Sequence, residues 1–163
     1  MESSCCCGVF NSFTYDKNRS LYENVLRVWD SVSDSAAQNY LRLISVDIHK
    51  IRMAVIVQEL KIGLFSGVIQ THDLVNDEDR IIVEYEPGSV DAVVGGRNDA
   101  EMLIFNKTGE LIQGDYPENI SIQCVQELIK SCCIIENLYC APVEIEFQLF
   151  ATESYILQIR KLT

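Results

Sequence analysis

Val143-Glu144-Ile145-Glu146-Phe147-Gln148-Leu149, followed by Tyr155-Ile156-Leu157-Gln158-Ile159-Arg160, is the stretch whose alternation decides the fold. Successive side chains of a strand point to opposite faces. Glu144, Glu146 and Gln148 therefore share one face, and Ile145, Phe147 and Leu149 the other. On the second run Ile156, Gln158 and Arg160 fall on one face, with Tyr155, Leu157 and Ile159 opposite. A turn centred on Thr152 closes a hairpin in which Glu146 faces Gln158 and Glu144 faces Arg160. A slip of one residue would set the carboxylates among the apolar side chains, so this register is favoured.

Upstream of the hairpin, Val125, Leu128, Ile129 and Cys132 give the apolar face of a helix opened by Pro117 and Asn119. Before it, Leu64–Thr71, Ile81–Tyr85, Asp91–Val94 and Glu101–Phe105 read as strands. Asn76–Asp79 is an acidic turn, and Asn106-Lys107-Thr108-Gly109 is a hairpin turn into Glu110-Leu111-Ile112. Ile51–Leu60, nearly all apolar and β-branched, reads as a buried strand. At the front, residues 1–16 read as a loop and then a short strand. Leu21, Val25, Val28, Trp29 and Val32 predict an amphipathic helix over 20–33. Ser33-Asp34-Ser35 caps a second helix with Ala36, Ala37, Tyr40, Leu41 and Ile44 on one face. Two helices, a run of strands, one helix and a closing hairpin make an α+β domain, with a mainly antiparallel sheet and about three helices.

Bulk properties narrow the function. The chain has 163 residues, 48% hydrophobic and 23% charged, the composition of one globular domain. Lys plus Arg is 13 and Asp plus Glu is 24, a net charge of -11. Such a chain repels a phosphate backbone, so no nucleic-acid partner is expected. A small phosphate compound would need a local basic group or a metal ion beside it. No apolar run approaches the roughly 20 residues that span a bilayer, and Met1-Glu2-Ser3-Ser4 does not open a signal peptide. A cytoplasmic location without a membrane partner is the expectation. The seven cysteines have no CxxC spacing and no nearby His49 or His72, so they read as reduced, small apolar groups rather than a zinc site.

The hairpin carries the most informative chemistry. Two carboxylates, an amide and a guanidinium on one patch suit Mg²⁺, which takes one or two protein oxygens plus those of a phosphate substrate. Arg160 offers phosphate a planar fork of donors. The same spacing also serves a solvated strand face with cross-strand ion pairs.

Pro142-Val143-Glu144-Ile145-Glu146-Phe147, with Tyr155-Ile156-Leu157-Gln158-Ile159-Arg160-Lys161-Leu162-Thr163, resembles the end of the ATP-grasp domain in the pyruvate phosphate dikinase and phosphoenolpyruvate synthase family. The family pattern there is P-x-D-I-E-[WF], then L-x-x-L-Q-x-R-P-I-T; Glu144 stands for its Asp and Lys161 for its Pro. Met53–Leu60 is similar to the family's M-A-V-V-V-Q-x-M strand, and Ser66–Asp73 to its S-G-V-L-F-T-x-D-P block. Ile82–Gly96 is similar to its glycine loop, with Val90 and Asp91 in place of Gly and Glu. Cys5–Phe13 is similar to its cover over the phosphates, with cysteines for Ser, Phe and Ala. The Lys and Arg phosphate motifs of the family's preceding subdomain have no counterpart in this sequence.

The resemblance implies that residues 1–163 are a single partial ATP-grasp domain, its C-terminal nucleotide-binding part. The N-terminal subdomain would come from another part of a larger enzyme. ATP and Mg²⁺ are the implied ligands. Glu146 and Gln158 are the implied metal and nucleotide ligands, Arg160 the catalytic phosphate contact, Gln58 and Glu59 neighbours of the adenine, and Glu84 a further carboxylate. The implied reaction moves phosphate from ATP to a histidine on a separate domain, and this chain alone would be inactive. The alternatives are a nucleotide-binding or interaction module that has lost the reaction, and a plain α+β interaction domain. An exposed subdomain interface would also favour a homo-oligomer.

Overall fold

Ser20 and Glu23 open the first helix with a reciprocal pair of bonds. The Ser20 hydroxyl accepts from the Glu23 N–H, and the Glu23 carboxylate accepts from the Ser20 N–H, which satisfies two donors that a helix start leaves unpaired. Helix α1 then runs Leu21–Asp30, and after a 3₁₀ turn at Ser31–Ser33 helix α2 runs Ser35–Leu43. The computed structural model describes residues 8–88 and 100–162, and the chain divides into two compact units, Met1–Leu60 and Lys61–Thr163. The strand expected at Asp91–Val94 and the cysteines Cys5 to Cys7 lie outside the described residues.

The first unit departs from its sequence pattern in three places. Leu21 and Trp29 are exposed, and the buried side chain of α1 is Asn24. Asn24 is inside because its amide accepts from the Asp16 N–H (3.0 Å) and donates to the Asp16 carbonyl (3.1 Å), fastening the incoming loop. No strand forms between Phe10 and Tyr15; the Asn11 N–H instead donates to the Ser31 hydroxyl at 3.1 Å. Ile51–Leu60 is not a buried strand either. Its backbone is irregular, with Ile56 84% exposed and Val57 and Leu60 also open. A strand needs a ladder partner for its N–H and C=O groups, and no described residue supplies one here. In α2 the expected face holds at Ala37 and Leu41, both buried.

The second unit is one sheet with a helix on it. Strands β1 (Phe65–Gln70), β2 (Arg80–Pro87), β3 (Glu101–Asn106), β4 (Leu111–Gln113), β5 (Val143–Leu149) and β6 (Ser154–Lys161) lie in the order β4-β3-β2-β1-β5-β6, every pair antiparallel. Helix α3 (Ile122–Tyr139) bridges β4 and β5 in sequence. It starts after the expected opening at Pro117, because Asn119 takes a left-handed backbone (φ 65°) that no helix contains. Val125, Leu128, Ile129 and Cys132 pack onto the sheet as their spacing predicts, meeting Ile69, Val83, Phe105, Ile145 and Phe147. Burial pushes the Cys132 thiol up to about 12, so it stays protonated as an apolar filler.

Strand β1 is central, and Gly67 is its tightest point. Gly67 pairs with Tyr85 on one side and Phe147 on the other. A Cβ there would stand 2.0 Å from the Glu84 carbonyl oxygen and 2.9 Å from the Phe147 ring. Only glycine lets the backbone and the ring come so close.

The last hairpin keeps the expected pairs at its far end and changes them near its turn. Glu144 pairs with Arg160 and Glu146 with Gln158, but Phe147 pairs with Ile156 and Gln148 with Tyr155. Leu157 is left over, a β-bulge that reverses the alternation. Ile156 therefore joins Ile159 against the core, and Tyr155 moves to the polar face, the opposite of the strict-alternation expectation.

The β1–β2 connection is organised by Asp73. Its carboxylate accepts from the Val75 N–H (2.9 Å), the Asn76 N–H (3.1 Å), the Asn76 amide (2.8 Å) and the Arg80 guanidinium (2.8 Å). The Asn76 amide first, then Arg80 and the two N–H groups, hold the Asp73 carboxyl well below the usual carboxylate range, against the opposing effect of burial. His72 in the same connection lies 3.1 Å from the Asp77 carboxylate.

Two outcomes follow from this packing. Gly67→Ala is expected to lower stability by about 3 kcal/mol, read as a fall in the urea midpoint; an unchanged midpoint would mean the strands can move apart freely. A carboxyl whose folded pKa is depressed stabilises the fold above its unfolded value, near 4, and that stabilisation fades as pH falls through the folded value. Asp73→Asn is therefore expected to destabilise at about pH 7 and to flatten the acid limb below about pH 4. Urea midpoints across that range test this, and parallel curves for the two proteins would rule Asp73 out as a source of the acid limb.

Candidate functional site

Register and alternation together map the face of the sheet that turns away from α3. Three rows cross it. The first holds Glu86, Ser66, Gln148 and Tyr155; the second Met102, Glu84, Val68, Glu146 and Gln158; the third Ile104, Ile82, Gln70, Glu144 and Arg160. Hairpin β5–β6 thus brings together Glu144, Glu146, Gln158 and Arg160, as the sequence predicts. Neighbours within a row have Cβ atoms roughly 5 Å apart, and rows follow one another at roughly 7 Å.

Glu144 is buried and ion-paired to Arg160, whose guanidinium is half-exposed. Glu146 and Gln158 sit directly opposite each other one row away. Glu84 is exposed and two strands from Glu146, with Val68 between them, a separation of roughly 10 Å. Gln58 and Glu59 belong to the other compact unit and are exposed on irregular backbone. Glu86 and Ser66 were not singled out by the sequence reading. The signal for them was present, because Ile82, Glu84 and Glu86 alternate with core residues along β2.

Glu84, Glu86, Glu144 and Glu146 give this face four carboxylates against Arg160. Such a surface attracts a cation. Among the described residues no three His, Cys, Asp or Glu side chains are grouped to hold a metal unaided. A metal here would have one or two protein oxygens, from Glu146 and Gln158, with the remainder from its ligand. That donor set fits Mg²⁺, which keeps substrate phosphates and waters in its shell.

The family model for the AMP/ATP-binding domain of pyruvate phosphate dikinase matches residues 6–119. The chain belongs to this family. The matched span takes in the first unit from residue 6 onward and strands β1 to β4, and stops before β5 and β6. Two relatives extend the comparison. An uncharacterized phosphotransferase of Bacillus subtilis (strain 168), YvkC, is 25% identical over 190 aligned residues, covering 100% of this chain and 23% of that protein. A phosphoenolpyruvate synthase of Aeropyrum pernix is 30% identical over 87 residues, 53% of this chain and 11% of that protein. The chain thus spans under a quarter of either relative. Membership sets it among the nucleotide-binding parts of dikinase-type enzymes. No helix of the described residues is long and apolar enough to cross a membrane.

The Glu144–Arg160 pair makes a test of the site's own energetics. Arg160→Met leaves a buried carboxylate uncompensated and is expected to destabilise by about 1 kcal/mol, a figure kept small because the guanidinium is half in solvent. The Glu144→Gln, Arg160→Met double variant is expected to lose less than the sum of the single losses. Strictly additive losses in urea unfolding would show the two groups to be uncoupled.

Proposed function

We propose that this chain holds magnesium–ATP for a dikinase- or synthase-type phosphotransferase, as the C-terminal part of one ATP-grasp domain. The observation that carries the reading is the face of β5 and β6, with Glu146 opposite Gln158 and Glu144 opposite Arg160, in a chain of the AMP/ATP-binding family. Four carboxylates would repel a bare triphosphate, so a divalent cation is required to reverse the local field. Glu146 and Gln158 would hold Mg²⁺, which when bound neutralises phosphate charge. Arg160 would orient the phosphates through its fork of donors. Gln58, Glu59 and the backbone around them would read the adenine.

The remainder of the reading concerns what completes the site. Ile56, Val57, Leu60, Ile62 and Leu64 are all exposed, and an apolar stretch of that length seeks cover. The family's N-terminal subdomain would supply it, and the phosphate acceptor would be a histidine on a separate domain. Phosphoryl transfer depends on positioning and charge neutralisation from all sides of the nucleotide, so this part alone would turn over little. One observation favours a second reading, a nucleotide-binding module without the reaction: Arg160 is drawn onto Glu144 rather than held outward.

Calorimetric titration of ATP, with and without Mg²⁺, separates these outcomes. The wild type is expected to bind only with magnesium, and a Glu146→Gln, Gln158→Ala variant to bind at least about tenfold more weakly, a difference of about 1.4 kcal/mol. Equal binding without the metal would overturn the assignment of Glu146 and Gln158. In the presence of the family's N-terminal subdomain, Arg160→Ala is expected to lower turnover more than affinity; binding without any transfer would select the second reading.

A further inference from the structure

Leu64 bends the chain just before β1. Pairing continued straight from Phe65 and Leu149 would set Gly63 opposite Ala151. Instead the Leu64 N–H donates to the Leu149 carbonyl at 2.8 Å. A Cβ on Gly63 would stand 2.6 Å from that oxygen and 3.2 Å from the Gln148 Cβ. The Lys61 ammonium lies 5.1 Å from the centre of the Tyr155 ring, and Tyr155 is the partner of Gln148 across the hairpin. Residues 61–64 thus form a strap across the Gln148–Tyr155 end of the polar face. Beyond these contacts, the Gly88 N–H donates to the Leu64 carbonyl at 3.0 Å.

The strap shuts in a side chain that it does not satisfy. Gln148 is 4% exposed, and its Oε1 has no hydrogen-bond partner. Ser66 and Glu86, next along the same row on β1 and β2, are also buried with an unpartnered oxygen each. These three are all of the unpartnered buried side-chain atoms among the described residues. Buried polar atoms are nearly always bonded, because leaving them unpaired is costly. Lifting the strap would let water reach the Gln148 oxygen, so the closed form is weakened at the place where it closes. What holds it down is slight. Ile62 and Leu64 are exposed, which leaves one cation–π contact and two backbone bonds, each modest in net effect. Segments with few buried apolar contacts open well below the free energy of global unfolding.

The geometry points to a local gate: residues 61–64 lift off the polar face while the sheet stays folded, and the Lys61–Tyr155 contact is the latch. The Gln148 oxygen sets how readily the gate opens. Opening wets the end of the row that lies one step from Glu146 and Gln158, and so controls solvent access to that side of the candidate site. The gate does not depend on what the site binds.

Limited trypsin digestion of the full chain reads the strap directly, since Lys61 is itself a cleavage point. Initial cleavage after Arg52, exposed on irregular backbone, gives the rate at an open site. Cleavage after Lys130, within α3, reports unfolding. In wild type, Lys61 is expected to be cut more slowly than Arg52 and faster than Lys130. Tyr155→Leu is expected to speed cleavage at Lys61 about threefold, the effect of losing a surface cation–π contact, with Lys130 unchanged. Gln148→Met is expected to slow it about tenfold, because an apolar group replaces the orphaned amide. Slower exchange of the Leu64 and Gly88 N–H hydrogens in Gln148→Met would agree. Equal acceleration at Lys61 and Lys130 in Tyr155→Leu would show that the strap moves only when the fold does, and would overturn the gate. An unchanged Lys61 rate in Tyr155→Leu would overturn the latch. Cleavage no slower in Gln148→Met would remove the orphaned amide as the cause of opening.

Discussion

Leu157 has no partner across the last hairpin, and the layout of both sheet faces depends on that single unpaired residue. Without the bulge, β6 would turn Ile156 toward the carboxylates and Tyr155 toward the core. With it, Ile156 and Ile159 both meet the apolar side of β5, while Gln158 and Arg160 stay on the polar side. An extra residue in a strand costs a ladder bond and bends the edge. Here it sets two isoleucines against the core and leaves an amide and a guanidinium on the polar face. The polar face can carry so many charged and amide groups because the other face carries the stability, through α3 and the side chains of β1, β2, β3 and β5.

Much of this was legible in the sequence. The pairs Glu146–Gln158 and Glu144–Arg160 follow from alternation with a turn placed at Thr152, and the buried face of α3 follows from helical spacing. The bulge was not legible, since strict period-two reading has no means of inserting a residue; it gave the right pairs beyond Leu157 and the wrong faces before it. Ile51–Leu60 shows a different limit. Its β-branched, apolar composition satisfies every local preference for a strand, yet β propensity describes fit to a pleated, half-buried surface rather than a backbone habit. Without a neighbouring ladder the same residues lie irregular and exposed. Asn24 is a third case: it is buried for its hydrogen bonds to Asp16, a tertiary demand that helical periodicity does not encode. The candidate site was legible in its outer half, on β5 and β6. Its inner row, on β1 and β2, required the sheet order, because Ser66 and Glu86 become neighbours of Gln148 only through β1 lying between β2 and β5.

The charge of the face and the family of the chain pull in opposite directions, and their reconciliation is physical. A net charge of -11, with four carboxylates gathered on one side of one sheet, is a poor surface for an anionic nucleotide. A single guanidinium already paired to Glu144 does little to offset it. Under the proposed magnesium–ATP reading the cation counts as part of the ligand, and the carboxylates would then face a metal rather than phosphate oxygens.

The same reasoning accounts for where the sheet tolerates unpaired polar groups. Glu146 and Gln158 lie at the more open edge of the sheet. The Glu86–Ser66–Gln148 row lies deeper, near the central strand, where water is largely excluded. Orphaned atoms at that depth weaken the ligand-free fold. A protein under selection for stability alone would have filled the row with apolar side chains, as it did on the opposite face of the same three strands. Retaining them forgoes stability that apolar side chains would supply there.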